Sequence, residues 1–175
     1  MVADAFPEWT VELYGSGHRD DESVLRNLIE ELHLADRVFL CGTIRDIWPV
    51  LRSSSLFVLP SAFEGFPNSL AEALAFGLPA VGFQSCPGVN ELIIDGKNGR
   101  LVSGDTPDDL AAVMAELLAD EKLRQSYGRQ APATMKPYFL NNSLQAWKSL
   151  LDRAVHLSRH QEVDLEGAPA TYSDE

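Results

Sequence analysis

The chain has 175 residues, 45% of them hydrophobic, and a formal net charge of −12, enough for one domain with a sizeable apolar core. The acidic balance excludes duplex nucleic acid and anionic membrane as broad partners, because both reward basic surface, and leaves room only for a local anion site. Neither a run of about 18 apolar residues nor a basic start followed by an apolar stretch occurs, so a cytoplasmic protein without direct membrane insertion is expected.

In chain order, Thr10 to Tyr14 (TVELY) reads as a short strand. Gly15-Ser16-Gly17 ends it, and Asp20 to Leu34 carries Val24, Leu25, Leu28, Ile29 and Leu32 at helical spacing. Arg37 to Cys41 (RVFLC) is the next strand, Gly42-Thr43 its turn, and Asp46 to Ser53 a short helix with Pro49 near its start. Leu56 to Leu59 is continuously apolar, which predicts a strand buried on both faces. Asn68 to Phe76 follows as a helix closed by Gly77, then Pro79 to Phe83 as a second buried strand. Glu91 to Asp95 reads as a short helix, Asp95-Gly96 as a turn and Arg100 to Val102 as a last strand, before Pro107 opens an amphipathic helix through Leu118. Glu121 to Gln130 and Asn142 to His160 continue helically, the latter with Leu144, Trp147, Leu150, Leu151 and Val155 as an apolar stripe. Residues 161–175 are poor in apolar side chains and are expected to be a disordered tail to a domain of residues 1–160.

Strands and helices alternate through short connections, which predicts an α/β fold: a parallel sheet with helices on both faces. Ligands of such sheets bind outside the carboxyl ends of the strands, so the loops after Tyr14, Cys41, Leu59 and Phe83 form the candidate site. Cys41 and Cys86 lack ligand or CxxC spacing and read as reduced, structural thiols. His156 and His160 have the i, i+4 spacing of a helical metal pair without an evident third ligand, so a solvated helix end is expected and no metal site.

The stretch FVLPSAFEGFPNSLAEALAFGLPAV places Glu64 in a loop leaving a strand and Glu72 inside the helix that follows. Gly65 permits close backbone approach, and the free amides at the start of the Asn68 helix are a seat for phosphate. Carboxylates beside that seat suit the hydroxyls of a sugar, best as bidentate acceptors from a vicinal diol. Local spacing also allows a bland alternative: Ser69-Leu70-Ala71-Glu72 matches a capping box, and Glu64 reads equally as a solvated loop acid.

LFVLPSAFEGFPNSLAEALAFGLPAV resembles the signature of glycosyltransferase family 4 (group 1), retaining enzymes of GT-B fold. Their donor half carries two glutamates with seven residues between them after a strand ending Leu-Pro-Ser. WTVELYGSG resembles that half's strand and glycine loop, LADRVFLCGTI its base-side loop, and GVNELIIDGKNGRLV its following run; the likeness covers Pro7 to Asp120 and continues through Ala154. The resemblance implies a Rossmann-like C-terminal donor domain. Within it, Glu64 would meet hydroxyls of the transferred sugar and Glu72 the ribose. Amides around Gly65, Phe66, Asn68 and Ser69 would meet sugar and diphosphate, Gly42, Thr43 and Ile44 would border the base, and Gly15 and Gly17 would line the crevice; simple turns are the alternative for Gly17 and Gly42. It implies no cofactor and no protein-bound metal, only a nucleotide diphosphate sugar, UDP- or GDP-linked, as substrate.

Such enzymes also use an Arg and a Lys on the first strand and loop of the donor half, whereas the first basic residue here is Arg19, with Arg45 and Lys97 as distant substitutes. Met1 to Asp4 looks like the end of the helix that precedes WTVELYGSG, so the expectation is a partial donor domain lacking its first strand and helix. Such a domain would need an acceptor half or second chain, would be weak or inactive alone, and would be open to self-association along its sheet edge. The alternative from another class is a non-catalytic nucleotide-sugar-binding or assembly subunit of a split glycosyltransferase. A GT-B epimerase or phosphorylase is disfavoured by the spacing of Glu64 and Glu72.

Overall fold

The structure, a computed structural model, describes residues 2–17 and 19–165. It divides into two units, residues 1–134 and residues 135–175.

The first unit runs α1 (Val2–Ala5), β1 (Val11–Tyr14), α2 (Arg19–Glu31), β2 (Val38–Gly42), α3 (Trp48–Ser53), β3 (Phe57–Leu59), α4 (Asn68–Ala75), β4 (Ala80–Phe83), α5 (Val89–Leu92), β5 (Gly99–Val102), α6 (Pro107–Ala119) and α7 (Glu121–Thr134). Every strand pair is parallel, as helical crossovers between successive strands require. The pairing departs from the single sheet expected: β1 and β2 form one ladder, and β3, β4 and β5 form another in that order. Adjacency of strands is a long-range property, and among the described residues no strand bridges β1 to β3. For the same reason β3 is half-buried rather than buried on both faces, since it lies at the edge of its sheet, while β4 at the centre buries Ala80, Val81 and Gly82.

Alternation along β3 sends neighbouring side chains to opposite helical layers. Val58 joins Val81, Val102, Leu117 and Tyr127, with Leu110, Val113 and Met114 of α6 closing that side. Phe57 packs with Leu51, Ala73 and Leu78 on the other. Helices therefore cover both faces of the three-stranded sheet. α4 and α7 approach so closely that a Cβ on Gly128 would collide with the Gly77 carbonyl oxygen. The segment before β1 is tied down by Arg37, whose guanidinium donates to the carbonyl oxygens of Phe6 (2.6 Å) and Trp9 (2.9 Å) as well as Ala3. Arg124 then stacks over the Trp9 ring, 4.7 Å from its centroid.

α5, expected at Glu91 to Asp95, is found two to three residues earlier, because the turn at Gly88 starts the helix and Ile93 leaves it in extended conformation, while α7 and the final helix run four and five residues past their expected ends. The second unit contains a 3-10 turn, Lys136–Tyr138, and α8 (Leu140–Leu165), on which Leu144, Trp147, Leu150, Leu151 and Val155 are exposed. α8 passes the start of the tail expected to be disordered; residues 166–175 of that tail lie outside the described residues. Among the described residues no helix is long and apolar enough to cross a membrane.

Candidate functional site

β3 delivers the chain into the loop that carries Glu64, which is half-buried, and the Ser61 hydroxyl donates to Glu64 Oε1 at 2.8 Å. The loop ends at Pro67, the N-cap of α4, and no side chain caps the helix. The capping box read from Ser69 to Glu72 is therefore not formed: proline sets the helix start earlier, and Ser69 falls inside the first turn. The first closing bond runs from the Ala71 amide to the Pro67 carbonyl at 3.0 Å, so the amides of Asn68 and Ser69 precede the helix's own hydrogen bonding and stand at its positive end. Leu70, Ala73 and Leu74 form the buried face of α4. Asn68, Ser69 and Glu72 are exposed, and the Glu72 carboxylate has no hydrogen-bond or ion-pair partner among the described residues. Gly65 and Phe66 are exposed in the same loop.

A second group forms at the carboxyl ends of β1 and β2. The Gly15 amide donates to the Gly42 carbonyl at 2.9 Å, and nothing lies within 4 Å of where a Cβ would stand on either. Gly17, Thr43 and Ile44 beside them are exposed. Immediately before Gly15, the Tyr14 hydroxyl donates to Glu12 Oε2 at 2.8 Å; this bond first, then desolvation and Cys41, pushes the phenol above its ordinary range, so Tyr14 is a neutral group at neutral pH. Thus the structure brings Gly15 and Gly42 together, and Glu64 and Gly65 together with the start of α4. The two groups belong to separate ladders, each at carboxyl ends.

Of the substitutes for a phosphate-binding cation, Arg45 follows β2 and is exposed at the relevant end. Lys97 precedes β5 and so stands at the amino end of its sheet, away from these loops. Among the described residues no group of three or more His, Cys, Asp or Glu could hold a metal ion; His156 is exposed and the His160 side chain lies outside the described residues.

Gly88 was missed as a site residue by sequence reasoning. It is buried before α5 with φ +79°, and a Cβ there would stand 2.9 Å from the Gly65 carbonyl oxygen and 3.2 Å from that of Glu64. The Pro87-Gly88 pair between a strand and a helix was the available signal, but it marks a turn without saying what the turn touches.

Residues 2–134 match the family described as Glycosyl transferases group 1. The chain is 30% identical over 151 residues to an uncharacterized glycosyltransferase of Haemophilus influenzae, covering 86% of this chain and 42% of that protein. It is 32% identical over 151 residues to the GtfA subunit of a UDP-N-acetylglucosamine–peptide N-acetylglucosaminyltransferase of Streptococcus gordonii, covering 83% of this chain and 29% of that one. Its fold matches the crystal structure of the pneumococcal O-GlcNAc transferase GtfA in complex with UDP and GlcNAc at a TM-score of 0.76 and 26% identity, over 89% of this chain and 31% of that chain. The chain thus spans less than half the length of these relatives. Since the family match extends over most of the chain and reaches from α1 to the end of α7, this protein belongs to the group 1 glycosyltransferases, with the parallel architecture of the GT-B fold.

Proposed function

We propose that this chain is the donor-binding part of a retaining, hexosyl-type glycosyltransferase that moves a sugar from a nucleotide diphosphate to a glycan or lipid-linked acceptor in the cytoplasm. The observation that carries the reading is the uncapped start of α4, flanked by a half-buried Glu64 and an exposed Glu72 whose carboxylate has no partner among the described residues. In this reading the amides around Gly65, Phe66, Asn68 and Ser69 hold the diphosphate and the near edge of the sugar. Glu64 accepts hydrogen bonds from hydroxyls of the transferred sugar and Glu72 from the ribose diol. Gly42, Thr43 and Ile44 border the base, uracil or guanine, and Gly15 and Gly17 line the crevice. The acceptor hydroxyl attacks on the face from which the diphosphate departs, its proton passing to the leaving phosphate, with no protein nucleophile and no cofactor.

Charge develops on the departing diphosphate, and the amides and dipole of one short helix supply only part of what a preorganised cation would. Cations supplied from outside these residues, on an acceptor half or a second chain, complete the site, so the chain alone is weakly active or inactive. A second reading, a binding or assembly subunit of a split glycosyltransferase, is favoured by the likeness to a protein itself named as a subunit.

The test is titration of the chain with UDP, GDP, ADP and their sugar conjugates, followed by backbone amide NMR. Shifts confined to residues 42–44 and 64–72 are expected with one base preferred. Glu72→Ala is expected to weaken nucleotide binding about tenfold, the worth of one hydrogen bond to a charged group. Absence of any perturbation at millimolar nucleotide in a folded chain would sink the donor-site reading. A nucleotide that binds without turnover, even when an acceptor half is added, would favour the subunit reading.

A further inference from the structure

Gly88 touches the loop that carries Glu64 from the neighbouring strand's connection. Its φ of +79° is in the left-handed region, and a Cβ would stand 2.9 Å from the Gly65 carbonyl oxygen, 3.1 Å from Pro67 Cδ and 3.2 Å from the Glu64 carbonyl oxygen. Every one of those atoms belongs to the segment joining Glu64 to the start of α4. A side chain at position 88 must therefore displace that segment, unless the turn bearing it can retreat.

Retreat is blocked from beneath. α5 buries Val89 and Leu92, with Ile93 behind them, and it lies so near β4 that a Cβ on Gly82 would come within 2.5 Å of Val89 Cγ1 and 3.4 Å of Ile93 Cδ1. Cys86, two residues before Gly88, is fully buried as well. The Glu64 loop is the softer partner: Phe63, Gly65 and Phe66 are exposed, and among the described residues the Glu64 carboxylate accepts a side-chain hydrogen bond from Ser61 alone.

We infer that Gly88 and Ser61 are a pair of positioning residues for Glu64: Gly88 sets the height of the loop by the absence of a side chain, and Ser61 sets the direction of the carboxylate. The consequence is selective. Glu64 answers to the sugar, whereas Glu72 and the base-side glycines answer to the nucleotide, so disturbing the pair alters recognition of the sugar more than that of the nucleotide, which Gly88 reaches only through the amides of Gly65 and Phe66. This inference rests on the donor-site reading proposed above.

The test compares the affinity of the full chain for the preferred nucleoside diphosphate with that for its sugar conjugate, in wild type, Gly88→Ala, Ser61→Ala, Ser61→Thr and Glu64→Gln. Gly96→Ala is the control, because Gly96 also has a left-handed φ, +72°, but open space around a Cβ. Gly88→Ala, Ser61→Ala and Glu64→Gln are expected to shift the ratio of conjugate to diphosphate affinity about tenfold, with the diphosphate affinity unchanged in Ser61→Ala and Glu64→Gln and lowered less than the conjugate affinity in Gly88→Ala, Ser61→Thr to restore the ratio, and Gly96→Ala to leave it alone. In the unliganded chain, amide shifts of Gly88→Ala should concentrate at residues 64–68. If Gly88→Ala and Ser61→Ala keep the wild-type ratio while Glu64→Gln alters it, the positioning role is wrong and the donor site stands. If diphosphate affinity falls in step with conjugate affinity, the residues are merely structural. Wild-type chain that binds neither ligand overturns the donor-site reading and this inference with it.

Discussion

Asn98 shows how one side chain can hold several elements. Among the described residues it is the one buried polar side chain besides the Tyr127 phenol, fully enclosed, and its amide donates to the Leu92 carbonyl (2.9 Å) and to Thr134 Oγ1 (2.8 Å) while its oxygen accepts from the Ile94 amide (2.8 Å). It thereby joins the end of α5, the turn before β5 and the end of α7. Asn98→Leu keeps the branched shape in a larger side chain and removes all three hydrogen bonds, leaving the Leu92 carbonyl and the Ile94 amide without their partner while the Thr134 hydroxyl keeps its donation to the Ala131 carbonyl at 2.6 Å, and should cost about 3 kcal/mol of unfolding free energy, read as a lower urea midpoint with an unchanged slope. At this scale the sequence was legible where function depends on neighbours along the chain. Glu64 and Glu72 stand out by spacing within one stretch, and so does the glycine at 65. Asn98 and Gly88 do not stand out, because their roles are defined by atoms that are close in space and distant in sequence.

Among elements, α4 and α6 invert the expectation about capping. The Ser-x-x-Glu pattern at Ser69 matches a cap and makes none, since Pro67 already begins the helix; the cap forms instead at α6, where Thr106 and Asp109 exchange hydrogen bonds between side chain and backbone. Hydrogen bonds from the Thr106 hydroxyl and then its amide hold the Asp109 carboxyl below its ordinary value of 3.8. Its pKa is depressed on folding, so the folded chain binds fewer protons than the unfolded chain in that range and stability rises with pH there. The contribution is complete above the ordinary value and disappears as pH falls through the lower folded value. Urea midpoints of wild type and Asp109→Asn should therefore differ by a constant amount above about pH 5 and converge below about pH 4. The order of strands and helices was legible from periodicity and turn residues, which are local. Their division into two ladders was not, because pairing is decided by which strands meet rather than by what each one contains.

At the scale of the molecule, the division has a shape. In six-stranded doubly wound sheets of the common order 3-2-1-4-5-6, one strand joins the two halves at the centre. The ladders found here, β2-β1 and β3-β4-β5, leave β1 and β3 each at an edge, with no strand paired between them among the described residues. Strand edges offer backbone groups for pairing, and the surface of β1 and α2 is apolar: Val11 is 43% and Leu13 40% exposed, while Val24, Leu25 and Leu28 of α2, and Leu32 just after it, are exposed. Unpaired edges beside apolar surface recruit strands from other chains. The isolated chain should accordingly show weight-average mass rising with concentration across the micromolar range in sedimentation equilibrium. Leu13→Lys, a charge placed on the β1 edge strand, should return it to monomer, whereas Leu28→Lys should reduce association only if the α2 face takes part. A chain that stays monomeric throughout would mean that these edges do not pair, and that the second component of the proposed enzyme binds elsewhere. If association occurs through the β1 edge, a short peptide able to pair with that edge should compete with it and dissolve the homo-oligomer. That competition follows from one edge being offered to both strands, and it separates ordered edge pairing from unspecific aggregation.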